Sequence, residues 1–263
     1  FASILVGKNM DTIEKQYPVM PLKNTVLFPQ QVIPIYVGRK KSLKLIEDLD
    51  PDNKYLVVVA QQDGSVEDPK EQDLYSYGTL ALVLKTFDMP DNSKSAIVQG
   101  VDRVKILKYE EGDDYFIADV ERIPESITAP DVQVEALAKS LKNSFTELIK
   151  ISPNLNEEHA GMLSNIDRPS RLADRATSLL SVSNSEKQEV LEELDIKKRV
   201  EIAINLLQKE IQRIKLGEEI QTEVQDEISK TQREYYLREQ MKTIQKELGE
   251  DNQTVELDEL TKK

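Results

Sequence analysis

The chain has 263 residues, 39% of them hydrophobic, which predicts one large or two ordinary domains with a buried core. Its 48 acidic residues outnumber the 35 basic ones, and the resulting net charge of −13 disfavours non-specific binding to nucleic acid and to anionic membranes. The sequence has no cysteine, which excludes disulfides and thiolate metal sites, and no apolar run of about 18 residues that would predict a membrane-spanning helix.

The first ~125 residues have the pattern of short β-strands. Four runs alternate apolar and polar residues or are rich in β-branched and aromatic ones: YPVMPL, TVLF, VIPIYV and KYLVVVAQ. Residues 78–100 predict a hairpin that turns at Pro-Asp-Asn-Ser, and residues 101–123 predict a second hairpin that turns at EEGDD. Pro29 and Pro34 indicate edge strands or bulges, because proline cannot donate to the hydrogen-bond ladder of a sheet.

One short helix, RKKSLKLIEDLD, is expected to interrupt these strands, with Leu43, Ile46 and Leu49 on one face. Many short antiparallel strands with a single helix are typical of a small barrel-like domain. The sequence therefore predicts an antiparallel β domain over residues 17–126.

From about Asp131 the apolar residues recur with the period of an α-helix. One apolar stripe is formed by Val134, Leu137, Leu141, Phe145, Leu148 and Ile149. Two shorter helices are predicted in NEEHAGMLSNI and RPSRLADRATSLLSV, the second with Pro169 in its first turn. Ser185 and Gln188 predict the N-cap of a further helix. Residues 127–195 thus predict a helical bundle.

Residues 196–249 predict one very long helix, because no proline follows Pro169. If unbroken, it would extend roughly 80 Å at about 1.5 Å per residue. Its apolar stripe is broad up to Ile214 and thins after Gly217, which indicates a helix that pairs with a partner or projects as a coiled-coil-like spacer. Gly217 is a candidate hinge, since glycine costs about 1 kcal/mol in a helix interior, and Gly249 is a candidate C-cap.

These segments predict an α+β multidomain chain, in which a small antiparallel β-barrel domain precedes a helical bundle and the long helix. Residues 1–16 are expected to form an N-terminal extension, and residues 250–263 a linker. The chain begins at Phe1 and ends on the charged run LDELTKK, so we expect a fragment of a longer protein.

Motifs for catalysis and for phosphate binding are missing from the sequence. It contains no Gly-x-x-x-x-Gly-Lys-Ser/Thr loop for a nucleotide and no Gly-x-Ser-x-Gly elbow for a serine nucleophile. Its one histidine, His159, has no ligand-spaced neighbours, so a partly buried histidine in a short helix is the favoured interpretation. We therefore expect no catalytic residue, metal or cofactor in this chain.

Three groups of residues are candidate contacts for partner polypeptides. Four basic residues, Arg39, Lys40, Lys41 and Lys44, open the short helix, either as a solvated first turn or as a basic rim. Phe28 and Met89 are exposed apolar contacts or, as we favour, core residues. Tyr235, Tyr236 and Met241 give the long helix aromatic and thioether surface, for recognition or for a neighbouring helix.

Long stretches of the chain resemble one protein family. The segment PVMPLKNTVLFPQQVIPIYVGRKKSLKLIED closely resembles the opening of the Lon ATP-dependent proteases. VEDPKEQDLYSYGTLALVLKTFDMPDNSKSAIVQGVDRVKI is similar to the next stretch, including Gly78-Thr79 and the run 100–104. QREYYLREQMKTIQKELGE is similar to the helix that leads towards the ATPase module in this family. The resemblance spans most of residues 17–250.

The resemblance implies a PUA-like β domain, a helical bundle and a long linker helix. In the parent enzymes, homohexamers that use ATP and magnesium, an AAA+ module with Walker motifs and a proteolytic domain with a Ser–Lys dyad follow. None of those functional residues is present in this chain. The resemblance therefore implies a non-catalytic part of a protease that degrades misfolded and regulatory proteins. We expect it in the bacterial cytoplasm and not in an organelle matrix, because the sequence shows no transit-like extension or acidic insertion.

Two functions are consistent with this resemblance. The favoured one is a substrate-recognition and assembly module that contacts unfolded or degron-bearing polypeptides and other Lon subunits. The alternative is a structural spacer or oligomerisation element with little substrate contact. A nucleic-acid-binding PUA-type module is disfavoured by the net charge of −13.

Overall fold

The computed structural model describes residues 15–112, 114–125 and 131–248. Its six strands are β1 (Lys15–Leu22), β2 (Val32–Val37), β3 (Tyr55–Ala60), β4 (Tyr77–Asp88), β5 (Lys94–Glu111) and β6 (Phe116–Ile123). Its six α-helices are α1 (Lys40–Asp48), α2 (Val132–Ile151), α3 (Glu157–Ser164), α4 (Pro169–Leu179), α5 (Asn184–Glu192) and α6 (Ile196–Leu248). A single-turn 3₁₀ helix spans Glu71–Asp73. The predicted extension, apart from residues 15 and 16, and the predicted linker lie outside the described residues.

The strands form one mixed sheet in the order β2-β5-β4-β3-β1-β6, with a further pairing of β6 to β5. Both predicted hairpins are confirmed, and they share β5, which pairs antiparallel with β4 and with β6. The prediction of a purely antiparallel sheet was wrong, because β1 and β3 are parallel. Their connection includes β2 and α1, and such a crossover is what joins parallel neighbours. The PUA-like and barrel-like descriptions stay predictions.

Apolar side chains on the two faces of β3 fill two core clusters. Leu56 and Val58 belong to one, together with Leu45 and Ile46 of α1, whereas Val57 and Val59 belong to the other. A continuous apolar run is typical of a strand buried on both sides. In α1, Ile46 is buried as predicted, while the predicted Leu43 and Leu49 are half-buried at the cluster's edge.

The predicted strand TVLF is wrong: residues 24–31 form a loop in which Val26, Leu27 and Phe28 are buried. Thr79 Oγ1 donates to the carbonyl oxygen of Leu27 at 2.6 Å, and Phe28 is only 1% exposed. Burial excludes Phe28 as a surface contact and supports the core interpretation. Of the two marked prolines, Pro34 lies in the edge strand β2 as predicted, whereas Pro29 lies in a turn of this loop.

The helical segments were largely predictable from their periodicity. The stripe on α2 buries Leu141, Phe145 and Leu148, and Pro169 is the first residue of α4. The predicted N-cap at Ser185 was wrong by two residues: the hydroxyl of Ser183 accepts from the backbone N–H of Glu186. Both serines fit the capping pattern in the sequence. The backbone conformation decides which one precedes the helix, and here it is Ser183.

The described residues divide into two compact units, one up to Ile211 and one from Gln212. The first part of α6 belongs to the first unit and buries Val200, Ala203, Ile204, Leu206, Leu207 and Ile211. The chain is helical at Gly217, and no neighbouring side chain would meet a Cβ there, so packing does not require glycine. A bend at Gly217 stays a prediction, and Gly249 lies outside the described residues.

Candidate functional site

The predicted basic cluster separates into one half-buried arginine and three exposed lysines. Arg39 Nη2 donates to Gln61 Oε1 at 2.6 Å and to the carbonyl oxygen of Val66 at 3.3 Å. Burial lowers the pKa of Arg39, while the nearby carboxylates of Glu67 and Asp68 act in the opposite direction. Arg39 therefore organises the loop around residues 61–68 from within the domain.

The lysines of the cluster are mostly neutralised by nearby acids. Lys41 Nζ lies 3.0 Å from Asp68 and 5.8 Å from the centre of the Phe116 ring. Lys44 Nζ pairs with Asp48 at 2.7 Å, one helical turn along α1. Exposed pairs of this kind contribute about 0–1 kcal/mol to stability. The cluster is thus a surface on which lysines and carboxylates alternate, and it is not a purely basic patch.

Two cavities lie on either side of Arg39. One of about 590 Å³ is bordered by the end of β1, the following loop and strand β2, and the other, of about 350 Å³, is bordered by the start of α1 and by Phe116. Pro21, Arg39, Ser42 and Glu67 line both. The first cavity also reaches Pro34 and Tyr36 on β2, which connects it to the exposed side of the sheet.

The strand register places apolar side chains on the outer side of β2, β5 and β4. Tyr36 pairs with Ser95, and Ser95 pairs with Phe87 on its other side, so Tyr36 and Phe87 lie on the same face. By the alternation of strand residues, the same face carries further apolar residues of β2 and β5. We call this set the outer apolar face: Val32, Pro34, Tyr36, Phe87 and Ile97.

Two aromatic side chains of the outer apolar face are exposed to solvent. Tyr36 is 66% exposed and Phe87 is 41% exposed, and Val32 is also exposed. Polar groups hold both rings in place: the Tyr36 hydroxyl donates to Asp91 at 2.9 Å, and Lys85 Nζ lies 4.8 Å from the centre of the Phe87 ring. Strand β2 is also at the edge of the sheet, since it pairs only with β5 among the described strands.

Among the sequence candidates, Met89 is exposed, and it lies just beyond the end of β4 near this face. Val32, Tyr36 and Phe87 were missed, although VIPIYV places its first, third and fifth residues on one side. That alternation could have identified Val32, Pro34 and Tyr36. It could not identify Phe87, which joins them through pairing with β5.

Residues 16–209 match a family profile described as the ATP-dependent protease La (LON) substrate-binding domain. The chain belongs to the Lon family. The Lon protease of Koribacter versatilis is 42% identical over 94% of this chain, and that of Dictyoglomus thermophilum is 39% identical over 95%. The chain spans about a third of these relatives, since it covers 30% and 32% of their lengths.

Two solved structures of Lon N-terminal domains have a similar fold. The domain from Mycobacterium avium complex matches with a TM-score of 0.60 and 21% identity, over 74% of this chain and 98% of that one. The domain from Xanthomonas campestris matches with a TM-score of 0.52 and 18% identity, over 71% and 95%. The match therefore shows the Lon N-terminal fold, in which a mixed sheet is combined with helices.

The Lon profile ends close to the boundary at Ile211, and the second unit has a surface of its own. Leu237, Met241 and Ile244 are all exposed and follow the i, i+4, i+7 spacing of one helix face. Tyr235 and Tyr236 are also exposed, but each lies well around the helix from Met241. Met241 therefore shares its face with two residues that the sequence analysis did not select.

His159 is half-buried in α3, as predicted, and its Nδ1 accepts from the backbone N–H of Asn156 at 3.2 Å. No group of three or more potential metal ligands occurs among the described residues. None of the helices in the ranges described is long and apolar enough to cross a membrane.

Proposed function

We propose that this chain is the substrate-recognition module of a Lon protease, and that its outer apolar face binds apolar segments of unfolded polypeptides. The observation that carries the proposal is the exposure of Tyr36, Phe87 and Val32 on one face of an edge of the sheet. Exposed apolar groups that share a face mark interaction sites more often than scattered ones do.

Unfolded chains offer the matching chemistry. Their apolar side chains are exposed to water, and their backbone N–H and C=O groups have no partners in secondary structure. Aromatic rings that are already held in place by Asp91 and Lys85 lose little side-chain entropy when they bind. The neighbouring cavity of about 590 Å³ could accept a side chain of such a segment beside Tyr36. Each contact is weak, so we expect one domain alone to bind weakly and several linked domains to bind well.

Replacing Val32, Tyr36 and Phe87 by serine tests this function. If each side chain contributes on the order of 1 kcal/mol when it is covered by substrate, the dissociation constant should rise about 100-fold. The measurement is fluorescence anisotropy of labelled, unfolded casein titrated with the chain. The matched control replaces three exposed apolar residues away from this face, Leu107, Val132 and Met162, and should leave binding unchanged.

Equal affinities of the two triple variants would contradict recognition by the outer apolar face. Within a full-length Lon protease, the serine variant should reduce casein degradation and leave peptide cleavage and ATP hydrolysis intact. We place such an enzyme in the bacterial cytoplasm, with ATP and magnesium acting in the ATPase module and not in this chain. Charge reversal of the basic cluster is a poorer test, because Arg39 holds Gln61.

The alternative, an assembly element, is favoured by the second unit. Leu237, Met241 and Ile244 form an exposed apolar stripe near the C-terminal end of α6, which suits pairing with the same helix of another subunit. Replacing the three by glutamine should abolish concentration-dependent association in analytical ultracentrifugation. Replacing Tyr235 and Tyr236 by glutamine should not, and the opposite ranking would assign pairing to the tyrosines.

A further inference from the structure

A third cavity, of about 320 Å³, lies in the first unit between the end of β6, the start of α4 and the start of α6. Four guanidinium groups line it, from Arg103, Arg168, Arg171 and Arg199. Three carboxylates line it as well, from Asp102, Glu125 and Asp174. The lining is therefore rich in cations, although the whole chain has a net charge of −13.

Each of the three carboxylates is already paired. Asp174 accepts from Arg103 Nη2 at 2.5 Å, and Asp102 accepts from Arg122 outside the cavity lining. Glu125 accepts from Arg168 and from Arg171, each at 2.9 Å, and also from the hydroxyl of Ser170.

The groups that pair with Glu125 lower the pKa of its carboxyl group. Burial alone would raise the pKa of Glu125, but the hydrogen bonds from Ser170, Arg168 and Arg171 outweigh it and hold that pKa below its usual range. The carboxylate thus stays charged at neutral pH. It offsets one of the two positive charges of Arg168 and Arg171 on the more exposed side of the cavity and acts on Arg199 only at longer range.

The deeper side holds Arg199, which lies in the field of the Asp174, Glu125 and Glu193 carboxylates but contacts none of them directly. It is 4% exposed and forms no ion pair within 4.0 Å among the described residues. Its Nε donates to the carbonyl oxygen of Glu193 at 2.7 Å and its Nη2 to that of Leu194 at 3.4 Å. Burial, reinforced by the positive charge of Arg103, lowers the pKa of Arg199 to about 10, while the carboxylates of Asp174, Glu125 and Glu193 act in the opposite direction. A guanidinium has five N–H donors, so these two bonds leave donors for a further acceptor.

The start of one helix with an uncapped first turn meets the same cavity. α4 begins at Pro169 directly after the lining residue Arg168, and no side chain caps its first turn by a hydrogen bond from the N-cap position. α6 begins at Ile196, which also lines the cavity, but the Asp195 carboxylate already accepts from the backbone N–H of Lys198 in its first turn. The free N–H groups and the dipole at the start of α4 favour a negative charge. They add to the guanidinium groups, which are independent of them.

We propose that this cavity binds phosphate, free or as a monoester, with Arg199 as its principal donor and Arg171 at the entrance. A phosphate dianion supplies a direct ion-pair partner for the buried guanidinium of Arg199 and acceptor oxygens for the uncapped start of α4. The cavity is larger than the ion, and Arg171 is half-exposed, so the ion has a way in. This site is separate from the outer apolar face and does not depend on the proposed function.

The test is a titration of the chain, labelled with ¹⁵N-arginine, with inorganic phosphate at constant ionic strength. The side-chain Nε signals of Arg199 and Arg171 should shift in a saturable way, with a dissociation constant of about 1 mM or lower. Arg199→Gln should weaken binding at least about tenfold, and Arg175→Gln, on the same helix as Arg171 but outside the lining, should leave it unchanged. A parallel titration with phenyl phosphate distinguishes a free ion from a monoester.

Three results would overturn the proposal: shifts that stay linear in phosphate concentration, shifts that chloride reproduces, or equal affinities of wild type and Arg199→Gln. Circular dichroism shows whether Arg199→Gln is folded. If it is not, Arg171→Gln at the cavity entrance takes its place, because its side chain is half-exposed and its loss leaves Glu125 with two other donors. That variant should weaken binding about threefold or more, and an unchanged affinity would count against the site.

Discussion

Replacing Asp174 by alanine is expected to lower the free energy of unfolding by about 3–5 kcal/mol. The side chains of Arg103 and Asp174 are 7% and 5% exposed, and their ion pair of 2.5 Å is the link between β5 and α4. Alanine leaves the guanidinium buried and charged, with only the carbonyl oxygen of Leu191 as an acceptor for Nε. The cost is that of an uncompensated buried charge, which exceeds the net contribution of the intact pair.

Urea denaturation followed by circular dichroism measures this loss. Asp48→Ala is the matched control, because it removes the carboxylate of the exposed pair with Lys44 and should cost far less stability than Asp174→Ala. Replacing both Arg103 and Asp174 by apolar residues, methionine and leucine, should recover much of the stability lost in Asp174→Ala. If Asp174→Ala and Asp48→Ala lose the same stability, the buried pair does not hold the sheet to the bundle.

Gly100→Ala is the second substitution with a large expected effect, a loss of about 3 kcal/mol. A Cβ at this position would lie 2.3 Å from the carbonyl oxygen of Phe28 and 3.1 Å from Cγ2 of Thr79. The clash is with backbone, which is itself fixed: Gly100 N–H donates to Gln31 and its carbonyl oxygen accepts from Gln30. The buried loop would have to leave the sheet to make room.

Gly161→Ala serves as the control for this prediction, because no atom lies within 4 Å of a Cβ built there in α3. It should be neutral or stabilise the chain by up to about 1 kcal/mol, since alanine is the better helix former. Thermal and urea unfolding of both variants give the comparison. A Gly100→Ala variant as stable as Gly161→Ala would contradict the close approach of the loop to β5.

Local pattern was sufficient for most elements of this chain. The turn at residues 89–93 uses Asn92 with a φ of 61°, and the sequence Pro-Asp-Asn-Ser predicts such a turn by its residue types alone. The stripe of Leu141, Phe145 and Leu148 likewise predicts the buried side of α2. In both cases the deciding residues are a few positions apart, so a short window contains the whole signal.

The errors occurred where distant residues decide the structure. TVLF has the composition of a strand, but its backbone groups bond to Thr79 and lie against Gly100, which are about 50–70 positions along the chain. The parallel pairing of β1 and β3 likewise cannot be predicted from a short stretch of sequence. It depends on the position in the sheet at which the chain re-enters after the crossover through α1. Phe28 is buried for the same reason.

By itself, the sequence determined the family, most of the strands and helices, the two hairpins and the acidic charge of the chain. Each of these is carried by composition, by local periodicity or by a long resemblance. Only the tertiary structure decided which side chains share a surface. Tyr36 meets Phe87 across β5, and Arg199 meets Arg103 in one cavity, because strand register and helix packing bring together residues 51 and 96 positions apart. Binding sites depend on contacts between residues that are far apart in the sequence. Such contacts produce no periodic pattern from which they could be predicted.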